Sequence, residues 1–290
     1  MGCFFILIHG VGLLITHPFQ AAGMEVFENP DDPINLAYFF VIILLMTGLI
    51  LLIAKYWKKQ LIQLIILGAV GYTSFYVFLP LLALILADIL ALSCSILAAV
   101  ILTIILYKYP EWYVIDICGI IVGAGAITIF GISLGIPLVI ILLVGLAIYD
   151  AISVYKTKHM IDLADTVMDL KLPVLLVVPK IRHYSLIKET KRLKQQLEEG
   201  EEREAFFMGL GDIVMPGILV IALYHNISNG LPIALATIAG TLVGFSILMI
   251  FVMKGKPQAG LPSLCGGAIA GYLISSYLLY GKLVGFTLSF

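Results

Sequence analysis

Residues Ile136–Tyr155 read IPLVIILLVGLAIYDAISVY, a run in which Asp150 is the only charged side chain. About 20 apolar residues, at about 1.5 Å of helix rise each, cover the roughly 30 Å hydrocarbon core of a bilayer. The stretch therefore predicts a transmembrane helix, with one carboxylate near its end. Working outward, the same pattern recurs through most of the chain. Nine candidate spans emerge: 3–22, 34–54, 61–78, 81–107, 112–133, 136–155, 206–225, 231–253 and 261–280. Pro80, Tyr109-Pro110-Glu111, Gly135-Ile136-Pro137 and Asn229-Gly230-Leu231-Pro232 mark turns between them. The fold class expected is all-α, a polytopic membrane protein of nine transmembrane helices.

Composition agrees. Of 290 residues, 61% are hydrophobic and 12% charged, against about 25% charged in a soluble domain. The 17 basic and 18 acidic residues nearly cancel, which argues against nucleic acid as a partner. Of these 35 charges, 19 lie within residues 156–204. The chain thus divides into spans one to six (1–155), a polar loop (156–205) and spans seven to nine (206–290).

Lys and Arg set the orientation. With nine spans and a cytoplasmic N-terminus, 16 of the 17 basic residues fall on the inner side, and Lys282 alone lies outside. The first outer loop carries Glu25, Glu28, Asp31 and Asp32. The topology expected is N-in, C-out, with the polar loop cytoplasmic. Within it, Met160, Ile161, Leu163, Ala164, Val167, Met168 and Leu170 recur at helical spacing, the pattern of an amphipathic segment at the membrane surface. The run 188–204 alternates basic and acidic residues and reads as a solvated helix or coil. Cys3, Cys94, Cys118 and Cys265 sit in apolar stretches without zinc-site or disulfide spacing, and read as buried membrane thiols. The N-terminus lacks a basic n-region, so no cleaved signal peptide is expected.

A carboxylate inside a span costs at least about 2.5–3.5 kcal/mol, so each is a candidate for function. Four aspartates qualify: Asp88, Asp116, Asp150 and Asp212. Asp88 and Asp116 are close enough to span ends to reach headgroup water or a neighbouring donor. Counted along ideal helices, Asp150 lies about 9 Å inside the cytoplasmic boundary, and Asp212 about 12 Å inside it on the next, antiparallel span. The matched depth suggests that they face each other, with Asp116 the rival at similar depth. Two carboxylates in one confined site share a proton, and so supply both an acid and a base. Gly209 and Gly211 precede Asp212 and allow a second backbone to approach. Pro216 frees the carbonyl of Asp212. Tyr149 offers a phenol that could orient a carboxylate.

Tyr149-Asp150 in one span and Gly209-Leu210-Gly211-Asp212 in the next resemble the paired YD and GxGD motifs of the presenilin and signal peptide peptidase family of intramembrane aspartyl proteases. The nine spans, the place of the motifs in the sixth and seventh, and the large loop between them fit the same family, as does the segment LPVLLVVP at 172–179. The family's third motif, Pro-Ala-Leu followed by Pro, is matched by Ala259-Gly260-Leu261-Pro262, where the first two residues differ. Pro257 and Pro262 predict an extended backbone between them, an edge on which an unwound substrate strand could dock by β-augmentation. Gly267 and Gly271 form a small-xxx-small face, and the resemblance implies that the ninth span packs near Asp150 and Asp212.

The resemblance implies an aspartic endopeptidase that hydrolyses peptide bonds within transmembrane-helix protein substrates in the lipid bilayer. Asp150 and Asp212 would be catalytic, with no metal or organic cofactor. It is most similar to compact prokaryotic, archaeal-type members, and its orientation to presenilin rather than to signal peptide peptidase. That implies a multi-pass protein of a prokaryotic cell membrane; the oligomeric state is open. Prepilin peptidase, another GxGD enzyme, has Lys two residues after the aspartate, where this chain has Val214. The alternatives from other classes are a proton-coupled transporter or cation-leak channel using the same aspartates, and a non-catalytic scaffold.

Overall fold

The computed structural model describes residues 1–27, 29–56, 59–157, 175–180, 184–186, 205–253 and 258–286. The amphipathic segment, the charged run 188–204 and Pro257 lie outside these. Among the described residues there are nine α-helices: α1 (Gly2–Ala21), α2 (Ile34–Tyr56), α3 (Lys59–Ala83), α4 (Asp88–Lys108), α5 (Trp112–Ser133), α6 (Ile136–Ile152), α7 (Leu210–Asn226), α8 (Leu231–Met253) and α9 (Gly260–Tyr280). Seven are long and apolar enough to cross a membrane; α7 and the apolar start of α2 are shorter. Their outward faces carry large apolar side chains such as Leu14, Leu64, Ile89 and Leu278, as lipid contact requires and water would not allow.

Three boundaries differ from those expected of the sequence. Pro80 lies inside α3 rather than between spans, because the apolar run carries the helix to Ala83. Asp88 is consequently not inside a span but the first residue of one, opening α4 and exposed in its first turn, where a carboxylate meets the positive end of the helix dipole. Residues 205–209 are a strand, not the start of span seven: β1 (Leu175–Pro179) and β2 (Ala205–Gly209) pair antiparallel, with Val177 opposite Phe207 and Leu175 opposite Gly209. Consecutive Leu-Leu-Val-Val and Phe-Phe-Met residues suit a pleated surface better than a helix.

The chain forms two compact units, Met1–Tyr38 with Ala126–Lys158 and Gly211–Phe290, and Phe39–Gly125 with His159–Leu210. In the first unit, α8 and α9 pack backbone to backbone. A methyl group on Gly244 would meet the carbonyl of Ser263, and one on Gly267 the carbonyl of Gly240. The small-xxx-small face at Gly267 and Gly271 is thus matched by one at Gly240 and Gly244. α9 also packs on α6. Gly12 of α1 closes on Ile127 and Ile221, and Gly131 of α5 on Ile221, so α1, the end of α5 and α7 are tightly apposed. The turn before α6 is held by the Gly135 N–H donating to the Pro30 carbonyl, 2.9 Å.

In the second unit, α3 packs on α4 where Gly71 leaves room for Thr103. Ile62, Val70, Leu106, Ile115, Cys118, Val177 and Ala205 form one buried apolar cluster. Gly119 of α5 admits the Leu176 side chain of β1. Of the four thiols, Cys118 and Cys265 are buried as expected, but Cys3 and Cys94 are exposed on helix surfaces; all four are free.

Candidate active site

The first unit collects three helix ends. α6 finishes at Ile152, two residues past Asp150, and continues as a single π-helical turn, Ser153–Thr157. α7 begins at Leu210, so Asp212 stands in its first turn. The depth of Asp212 therefore does not follow from counting helical residues from Glu204, since the intervening five are extended. α9 begins at Gly260, with Ala259 as its N-cap in an extended conformation, φ −70° and ψ 126°.

The first turn of α9 is what joins the two aspartates. The Leu261 N–H donates to Asp150 Oδ2 at 3.1 Å, and the Gly260 N–H is turned to the same carboxylate. These are two of the N–H groups that the first turn of any helix leaves without an intrahelical acceptor. A carboxylate there is held by hydrogen bonds and by the helix dipole together. On the other side, a methyl group built on Gly260 would lie 3.3 Å from Asp212 Oδ2 and 3.5 Å from its Cγ. Gly260 is thus the point of α9 that faces Asp212, with space beside it for little more than a methyl group. Asp150 is 8% exposed, Asp212 half-buried. Each carboxylate lies within electrostatic reach of the other and of the Cys265 thiol, one turn further along α9 and fully buried.

This geometry corrects the extended docking edge expected between Pro257 and Pro262. Gly260, Leu261 and Pro262 are helical, and the N–H groups of the first two face Asp150 rather than an open edge. Pro262 suits that place, because the third residue of a helix has no intrahelical N–H bond to lose. Ala259 is buried. Nor does a second backbone approach Gly211: nothing lies within 4 Å of a methyl built there. Gly209 ends β2 opposite Leu175, so the GxGD segment is a strand-to-helix junction. Tyr149 is 64% exposed.

Asp116 has a different setting. In the second unit it is 5% exposed and its Oδ1 accepts from the Val177 N–H of β1 at 2.8 Å. Glu111, one turn earlier, accepts from the Ser185 hydroxyl at 2.7 Å and the Leu186 N–H at 3.1 Å. Asp116 on α5 and Glu111 just before that helix thus fasten segments of the chain between α6 and α7.

The sequence marks Cys265 only as a buried thiol, and two further residues carry no assignment there. Tyr155, in the π-turn, donates its hydroxyl to Gln258 Oε1 at 2.9 Å, tying the extension of α6 to the residue before the α9 cap. His9, an ionisable group in the first apolar span, is fully buried against α7. Its presence among apolar residues was a signal of the same kind as the aspartates.

Comparison with known proteins agrees with this arrangement. The family model for signal-peptide peptidase and presenilin aspartyl proteases matches residues 2–280. The chain belongs to that family. Two solved structures, each described as a presenilin family intramembrane aspartate protease, resemble it closely. One, in a P2 crystal form, is 36% identical with a TM-score of 0.72; the other, in a C222 form, is 33% identical with a TM-score of 0.69. Each alignment covers 96% of both chains. No curated protein matches. Family and fold together make this chain an intramembrane aspartyl protease, an aspartic endopeptidase of a multi-pass membrane fold that takes transmembrane-helix substrates.

Proposed function

We propose that Asp150 and Asp212 are the catalytic pair of this protease. The observation that carries the reading is their convergence on one turn, Gly260–Leu261, from two different helices. Asp150, bonded by N–H groups at a helix N-terminus, is set to act as the ionised base. Asp212, which accepts no such hydrogen bond among the described residues, is set to hold the shared proton. Asp150 takes a proton from water as the oxygen attacks the scissile carbonyl carbon, and Asp212 gives its proton to the carbonyl oxygen. Collapse of the resulting gem-diol returns a proton to Asp212, while Asp150 protonates the departing nitrogen as the C–N bond breaks. The pair is then as it began.

The basic residues support an N-in, C-out orientation, which would bring both aspartates to the cytoplasmic side, where water enters. Short outer loops support placing the protein in a prokaryotic cell membrane. The turn Ala259–Pro262 serves, on this reading, to hold the pair, with any substrate strand lying beside it rather than on its N–H groups.

The test is cleavage of a single-span reporter with an outer N-terminus in liposomes, products being read by mass spectrometry. Cleavage is expected to vanish in Asp150→Asn and in Asp212→Asn and to persist in Asp116→Asn. Products that survive both substitutions would refute the assignment, and ion flux without peptide products would favour a transport pathway. A shared proton also predicts a bell-shaped pH–rate profile: activity falls in acid, where no base remains, and in alkali, where no acid remains.

A further inference from the structure

We propose that His9 is a positioning residue for Asp212, acting as a tether between α1 and the first turns of α7; this rests on the reading of Asp212 as catalytic. The ring is fully buried, and its Nε2–H donates to the carbonyl of Ile213, the residue after Asp212, at 3.0 Å. Nδ1 is buried with no hydrogen-bond partner among the described residues. A carbonyl can only accept, so Nε2 carries the hydrogen. With nothing to receive a second N–H at Nδ1, the ring is the neutral Nε2–H tautomer.

The place that His9 grips is weak within its own helix. Pro216 has no N–H to give the carbonyl of Asp212, so the turn bearing the aspartate lacks one of its ladder bonds. Directly after it, Gly217 leaves the space the imidazole occupies: a methyl group there would lie 2.9 Å from His9 Cδ2 and Nε2. Phe5 meets the ring edge-on, with centroids 5.9 Å apart. One turn along α1, Gly12 lets the helix close on Ile127 and Ile221, which fixes the tether's other end. A polar group buried in a span, aimed at a turn that proline has loosened and seated over a glycine, is more than a packed side chain. It supplies from outside the helix a restraint that the helix cannot supply itself.

The test compares His9→Phe, which fills the space without a donor, with His9→Gln, whose Nε2 can restore the bond to Ile213. Both are assayed as full-length protein in liposomes alongside Thr16→Val, which removes a hydroxyl bonded to Gly12 within α1. His9→Phe is expected to lower kcat by roughly tenfold to a hundredfold, the scale of a misplaced reacting group, with KM little changed. His9→Gln recovers most of the rate, and Thr16→Val keeps it. Gly217→Ala, which crowds the ring, should behave as His9→Phe does. Wild-type rates in His9→Phe would overturn the proposal, as would equal losses in the Phe and Gln variants accompanied by a lower melting temperature.

Two readouts do not depend on cleavage. Nitrogen chemical shifts of labelled His9 should report the Nε2–H tautomer, and amide exchange at residues 213–215 and 217 should quicken in His9→Phe and recover in His9→Gln. If no variant and no wild type cleaves, the dyad reading fails by itself; unchanged exchange would sink the tether whether or not cleavage occurs.

Discussion

Asp150 and Asp116 look alike in a list of contacts. Each is a nearly buried aspartate that accepts a backbone N–H, from Leu261 at 3.1 Å in one case and from Val177 at 2.8 Å in the other. They differ in what else is present. The donor to Asp116 belongs to a strand, and β1 is thereby fastened to α5. The donor to Asp150 belongs to a helix N-terminus that also faces a second carboxylate, Asp212. A single buried acid with a backbone partner is an anchor. Two acids on one turn can divide a proton between them, and that difference separates a fastening from an active site.

The comparison breaks most sharply at the aspartates themselves. Asp150→Asn or Asp212→Asn should reduce cleavage by about 10⁴-fold or more, as removal of an essential group does in other hydrolases, while Asp116→Asn stays within a few-fold of wild type. Gly260 sharpens it next. Alanine, the residue of the family motif, needs only a few tenths of an ångström from Asp212, so the rate of Gly260→Ala should stay within about threefold. Gly260→Val adds branches where the carboxylate sits and should lower kcat by roughly a hundredfold. Asp116→Leu leaves the Val177 N–H buried without an acceptor; denaturation of the purified protein should show a loss of about 1–3 kcal/mol. The smallest effect is Asp88→Asn, at an exposed helix start, where thermal unfolding should register about 0.3–1 kcal/mol.

The sequence made the spans legible because long apolar runs have few other fates, and Asp150 and Asp212 stood out because charge inside such runs is costly. What it did not show is equally specific. Pairing of β1 with β2 is a contact between segments well apart in the chain, with a charged run between them, and short apolar strands cannot be told from helix by periodicity. Treating 205–209 as helix misplaced the depth of Asp212. Two prolines around 258–261 suggested extension, but the residue after the Ala259 cap already has helical geometry, so its N–H groups turn inward. Gly240 and Gly244 carry no signal of their own in the sequence, because their meaning lies in the partner, Gly267 and Gly271, on another helix. Asp116 could not be separated from Asp150 by depth, since the distinction rests on which backbone reaches each.

That glycine seam has a consequence at a distance. Where α8 and α9 touch through main chain alone, there are no side chains to rotate aside, so any added atom must be met by displacement of the whole helix. α9 is a rod with its first turn on Asp150 and Asp212 and its seam further along. A methyl group at Gly267 or Gly271 would therefore act as a wedge under a lever, shifting Leu261 relative to Asp150 from two or three turns away. Alignment of the reacting groups is set as much by the middle of this rod as by its tip.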